Sequence, residues 1–226
     1  GKNFVNPALA ARAFMFSWPV VMTTWDAPLA YKSFLSISTA DAVTAATPLA
    51  SLANNTLPEG ISLLEAFVGQ TGGSMGEISA FALLLGGIYL LVRRVITLRI
   101  PLSFLLTVAV LTFIFPGGAN RLQWMLWQLC SGGLMLGAIF MATDYTTSPV
   151  NNKAQIVFGI CCGAITVFIR YFGAYVEGVS YAILLMNTTV WLLDKTLVPG
   201  RFGVKKEKSL LTRLTDKLKA KEADAK

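Results

Sequence analysis

Residues 122–142 read LQWMLWQLCSGGLMLGAIFMA, an unbroken run without a charged side chain. A helix needs about 20 apolar residues to cross the hydrocarbon of a bilayer, and this run has the length. It does not stand alone. Residues 78–92, 102–115 and 179–193 are also uncharged, 154–176 carries only Arg170, and 7–22 carries only Arg12. Charged residues make up 14% of the 226-residue chain and the mean hydropathy is +0.61. Soluble domains carry about 25%. The pattern predicts an all-α polytopic membrane protein with about six membrane helices, the shorter ones borrowing flanking residues or lying against protein rather than lipid.

Basic residues give the orientation. Nine basic and four acidic residues between Arg201 and Lys226 leave that tail at +5, and Arg93, Arg94 and Arg99 join the second and third predicted spans. Cytoplasmic loops collect such charge. Counting spans back from the tail puts both basic clusters inside and residues 23–76 outside. The chain then divides into a first membrane helix (1–22), an external segment (23–76), a five-helix membrane bundle (77–200) and a basic cytoplasmic tail (201–226). In that tail Leu210, Leu211, Leu214 and Leu218 form one helical stripe among lysines, which predicts an amphipathic helix on membrane lipid. Charge that flanks a membrane span argues against a nucleic-acid partner. The N-terminal residues carry no initiator Met, charged n-region or cleavage site, so they read as a membrane helix rather than a signal peptide, and further helices are expected upstream.

Several chemistries drop out. The chain has no histidine, which removes His-ligated haem or metal and any His-based nucleophile. Cys130, Cys161 and Cys162 lie in apolar blocks without metal-binding spacing, and no metal site is expected. Redox work by this chain requires an organic cofactor or a partner's.

The external segment holds DAVTAATPLA at 41–50. Asp41, Thr44, Ala46 and Thr47 match the pattern Asp-x-x-(Ser/Thr)-x-Ala-Thr. This resembles the flavinylation motif of periplasmic flavin transferases, which join FMN through its phosphate to the last threonine. Small neighbours leave that hydroxyl reachable, and Pro48 biases Thr47 towards extended geometry. Alone, such a run also occurs by chance in external loops. GKNFVNPALAARAF (1–14), GSMGEISA (73–80) and FMATDYTTSP (140–149) follow the same order as in the family of RnfD, a membrane component of Rnf complexes, and its relative NqrB. From Gly1 to about Gly203 the chain resembles that family. After MATD, the DYTTSP here is closer to RnfD than to NqrB.

The resemblance implies a urea-transporter-like helical bundle, about ten membrane helices in two inverted repeats, of which this chain holds the last six or so. It implies a membrane electron-carrier subunit of an ion-translocating ferredoxin:NAD oxidoreductase, in a bacterial or archaeal cytoplasmic membrane. Covalent FMN would sit on Thr47 outside, and the family's pattern adds a non-covalent riboflavin. Implied partners are RnfA, RnfB, RnfC, RnfE and especially RnfG, a flavin transferase for maturation, and Na+ or H+. The alternatives are an NqrB-type subunit reducing quinone, a urea-type solute channel, and a scaffold without redox activity.

Other positions have two readings each. Ser74 and Glu77 form a capping box or share in a flavin pocket. Thr143 and Asp144 serve a cation path or second flavin, or Asp144 simply caps the next helix. Asn3 and Asn6 line an ion or flavin site, or satisfy freed backbone groups. Arg170 snorkels or pairs, with Glu177 close by, or meets a flavin phosphate.

Overall fold

A computed structural model describes residues 3–15, 18, 48–58, 61–69, 79–118, 120–173 and 177–197. Every regular element among them is helical: α1 (Pro7–Met15), α2 (Pro48–Ala53), α3 (Leu63–Val68), α4 (Ala80–Val92), α5 (Arg99–Ile114), α6 (Arg121–Cys130), α7 (Leu134–Leu136) running into a π-helical turn (Gly137–Met141), α8 (Asn152–Phe172) and α9 (Val179–Thr196). The expected basic tail lies outside the described residues, as do most of the external segment and the second half of the first predicted span.

Local chemistry sets the helix ends. Ser62 Oγ accepts from the Glu65 amide at 3.2 Å and Glu65 Oε2 accepts from the Ser62 amide at 2.7 Å, a reciprocal cap that starts α3. Gly69, at φ +106°, ends it. Ser79 caps α4 through the Ala82 amide, and Asn120 caps α6 through the Gln123 amide.

α8, with 21 residues, is long and apolar enough to cross a membrane. It packs most closely on α5. Gly159 and Gly163, one helical turn apart, face Ser103 and Thr107, and a methyl group at Gly163 would meet Thr107 Cβ at 2.8 Å and the Phe104 carbonyl at 2.9 Å. Small residues at that spacing let two backbones approach where lipid supplies no hydrophobic drive for helix pairing. Phe104, Val108, Leu134, Phe158, Cys162 and Ile183 fill the core between α5, α7, α8 and α9. The outward faces stay apolar: Leu85 and Ile88 on α4, Leu106 and Val110 on α5, Ile160 and Phe168 on α8, and Leu185 and Trp191 on α9 are all exposed. That is an inside-out distribution for water and the expected one for lipid.

The stretch 122–142 is not one straight helix. α6 and the α7–π segment meet at 65°, with the break at Ser131, Gly132 and Gly133. Gly132 takes φ +69°, a left-handed conformation that ends helices and suits glycine best. Past the break, the π turn closes with the Ala142 amide on the Gly137 carbonyl at 2.7 Å. A run whose length predicts one crossing is thus folded as two short, differently aimed pieces.

Candidate functional site

A broken helix leaves carbonyls without partners at the end of its first half and amides without partners at the start of its second. Here both ends are met by charged side chains from elsewhere. Arg170, near the end of α8 and buried, donates from Nη1 to the Gln128 carbonyl at 2.6 Å and to Gln128 Oε1 at 2.9 Å, and from Nη2 to the Ser131 carbonyl at 3.1 Å. Its cation lies at the negative end of α6, the favourable sign for a helix C-terminus. Glu177, two residues before α9, accepts the Gly133 amide at 2.9 Å, placing an anion at the positive end of the next helix. Its other oxygen accepts from Arg12 Nη2 on α1 at 2.7 Å. Both side chains of that ion pair are largely covered, at 15% and 20% exposure, so water screens it less than a surface pair. Within the protein, Arg170 is thus bonded to two backbone carbonyls and to the Gln128 side chain.

A second polar junction lies deeper. Asn6 caps α1, its Oδ1 accepting from the amides of Ala8 at 3.0 Å and Leu9 at 3.3 Å, while Nδ2 reaches the Met141 carbonyl at 3.5 Å. Asn187, with its amide oriented to satisfy both neighbours, accepts from the Asn6 amide at 3.1 Å and donates to the Ile183 carbonyl at 3.3 Å. Asn187 lies about 12 Å along the axis of α9 from Val179, near the middle of that helix. α1 therefore starts halfway along α9, and the π turn ends at the same level. Asn6 satisfies freed backbone groups and also joins three elements. Asn3 is exposed.

Thr143 Oγ1 donates to the Ile139 carbonyl at 2.7 Å. Asp144 organises the turn that follows: Oδ1 accepts from the Thr146 amide at 3.3 Å, and Oδ2 from the hydroxyls of Thr146 at 2.7 Å and Thr147 at 3.1 Å. These are local bonds of the kind an aspartate makes at a turn. At the far end, both carboxylate oxygens of Asp194 accept from the Val150 amide and one also from Asn151, which fastens the start of α8 to the end of α9.

The attachment site expected from the motif falls outside the described residues: Asp41, Thr44, Ala46 and Thr47 are not among them, nor are Ser74 and Glu77. Pro48, the residue bonded to Thr47, begins α2. Pro48, Leu49 and Leu52 are buried. Leu49 and Leu52 pack with Ala66 of α3 against Trp124 and Trp127 of α6. Trp124 Nε1 donates to the Tyr171 hydroxyl at 3.0 Å, which donates to the Phe115 carbonyl at 2.7 Å. Leu49 also reaches the helix break: a methyl group at Gly132 would lie 2.8 Å from Leu49 Cδ2, 3.2 Å from Glu177 Oε1 and 3.4 Å from Arg170 Nη2.

Residue-level reading missed the partnership of Arg12 with Glu177 and the role of Asn187. A signal was present: Arg12 is the lone charge of its apolar block, and Glu177 sits between two such blocks. An isolated charge there needs a partner. Among the described residues no cluster of acidic, Cys or His side chains suits a metal ion.

An apolar exterior, a helix able to cross a membrane and a helix interrupted beside buried polar groups mark the described residues as a helical membrane protein with a discontinuous helix, a feature found in ion and solute carriers. The chain belongs to the NQR2, RnfD, RnfE family, whose profile matches residues 1–203. It is 47% identical to the D component of the Na(+)-translocating ferredoxin:NAD(+) oxidoreductase complex of Acetobacterium woodii, over 92% of this chain and 62% of that one. Against the D component of the proton-translocating ferredoxin:NAD(+) oxidoreductase complex of Clostridium ljungdahlii the identity is 43%, over 91% and 63%. The B component of the Na(+)-translocating NADH-quinone reductase of Pseudomonas aeruginosa is 34% identical, over 88% and 50%. The chain spans about three fifths of the length of the first two.

Proposed function

We propose that this protein is a membrane electron-carrier subunit of an ion-translocating ferredoxin:NAD oxidoreductase, an Rnf complex, with FMN joined as a phosphoester to Thr47. The observation that carries the reading is the spacing of Asp41, Thr44, Ala46 and Thr47 ahead of Pro48. Higher identity to the two ferredoxin-linked relatives than to the quinone reductase component favours the ferredoxin-linked complex. The fold supports it in one respect. A hydroxyl that carries a redox group must be both reachable and held near its exchange partners, and the chain is anchored from the very next residue by the buried face of α2. Electrons would pass to and from the flavin on the outer side, with RnfG as the exchange partner, while the flow is coupled to Na+ or H+. The Asn6–Met141–Asn187 junction, with Thr143 and Asp144 beyond it, is the polar junction we assign to the cation or to an unlinked flavin such as riboflavin.

The test uses protein produced in cells that possess the flavin transferase. Denatured, it should run as a band that fluoresces under ultraviolet light, and Thr47→Val should abolish the fluorescence. A band equally bright in Thr47→Val removes Thr47 as the attachment point, and a dark wild-type band removes the flavoprotein reading.

A further inference from the structure

The two polar junctions share a geometry. α1 and the α7–π segment are short helices that share one neighbour, Glu177, at one end and are bonded to each other at the other. At one end Glu177 binds Arg12 of α1 and the Gly133 amide that opens α7. At the other, the Asn6 side chain reaches the Met141 carbonyl that ends the π turn, and Asn187 accepts from the Asn6 backbone. Gly133 to Met141 is about 12 Å of helix, and Val179 to Asn187 is the same. Glu177, just ahead of α9, therefore binds both short helices directly, while Asn187 in α9 holds only α1 and Asn6 carries the link on to Met141. Leu49 rests on the end that Glu177 secures, in the space left by the missing side chain of Gly132.

The geometry points to Glu177 as a positioning residue for the flavin-bearing segment: by holding Gly133 and Arg12 together it keeps Gly132 open to Leu49, two residues after Thr47. The inference rests on the reading that Thr47 carries the flavin. A glutamine at 177 keeps the shape but gives up the negative charge. Its oxygen still accepts one hydrogen bond, yet it no longer attracts Arg12 or complements the positive end of α7, and its amide hydrogens face the Gly133 N–H or the guanidinium. The break then loosens, and Leu49 loses its seat at Gly132. Leu49→Ala removes the seated side chain while leaving the break itself intact, so it should give the same result by another route.

Full-length protein is matured with the flavin transferase, and two measurements are made on wild type, Glu177→Gln, Glu177→Asp and Leu49→Ala. Fluorescence of the denatured band reports attachment. Quenching of native flavin fluorescence by iodide reports how firmly the segment is held. The expected outcome is bright bands throughout, with a several-fold steeper iodide quenching for Glu177→Gln and Leu49→Ala, and partial return towards wild type for Glu177→Asp. Bright bands with unchanged quenching in both Glu177→Gln and Leu49→Ala overturn the proposal. Should Glu177→Gln yield no folded protein, Glu177→Asp decides: quenching no steeper than wild type overturns the proposal. A dark wild-type band strikes the functional reading instead, and a nitroxide on Thr47→Cys, read against unmutated protein labelled in the same way, then takes the place of the flavin. Narrower lines in the Leu49→Ala background support the seat, and unchanged lines refute it.

Discussion

Residues 122–142 and 152–172 have the same length, yet the first folds as two pieces at 65° and the second as one helix. Charge content would have ranked them the other way, since 152–172 contains Lys153 and Arg170 and 122–142 contains no charge. Both have glycines. In α8, Gly159 and Gly163 stay helical because each is placed against a neighbouring helix and the ladder of hydrogen bonds continues past it. In 122–142 two glycines follow Ser131 directly, one adopts φ +69°, and the exposed backbone groups meet Arg170 and Glu177. Apolar length decides that a segment belongs in the bundle. Whether it runs straight depends on which backbone groups the rest of the chain is prepared to satisfy.

Removal of Arg170 should do the most damage to the bent segment. Arg170→Ala leaves the Gln128 and Ser131 carbonyls and the Gln128 side chain buried without their donor, a cost of about 3 kcal/mol or more at roughly 1–3 kcal/mol per buried unsatisfied group. The expected result is a drop of many degrees in the unfolding midpoint of the detergent-solubilised protein, followed by thiol-reactive dye as Cys162 becomes exposed. An unchanged midpoint would mean that Arg170 does not hold the break. Gly132→Ala tests the turn. An added methyl group meets both the left-handed backbone penalty and Leu49, together about 2 kcal/mol, and should lower the same midpoint by a smaller amount; Leu49→Ala in the same chain should recover part of the loss. Gly163→Ala probes the straight helix in the same way. Crowding against Thr107 and the Phe104 carbonyl should cost about 1–2 kcal/mol, offset in part by alanine's better helix propensity, with the helical content by circular dichroism unchanged.

The sequence predicts the straight parts well. Apolar runs at 78–92, 102–115, 154–176 and 179–193 correspond to α4, α5, α8 and α9, with ends displaced by a few residues where Ser79 or Asn151 begins a helix or Gly173 ends one. These boundaries are local, set by caps within a turn of the residues they affect. The break at 131–133 carries a local hint in Ser-Gly-Gly, but its stability comes from Arg170 and Glu177, far downstream, and no periodicity within 122–142 encodes them. Arg170 is instructive in another way. An arginine in an apolar block is expected to snorkel or to pair with a carboxylate; this one also donates to main-chain oxygens, groups every residue possesses and no sequence pattern marks. Asn6 divides between the two cases. The amides it caps lie within a turn of it and are legible from Pro7 onward, whereas its links to Met141 and Asn187 depend on how distant helices stack. The site proposed at Thr47 rests on a motif alone, a pattern of neighbouring residue types rather than of packing.

The π turn at Gly137–Met141 bears on how this chain tolerates change in length. A π turn holds one residue more than the α-helical ladder requires, with the surplus taken up as a local bulge. The hydrogen bond from the Ala142 amide to the Gly137 carbonyl spans that surplus, and the flanking pieces are pinned independently, by Glu177 at one end and Asn6 at the other. Loss of one residue from this turn would convert it to ordinary α-helix between two fixed points. Among the described helices, this short arc is therefore a place where the loss of one residue is absorbed locally.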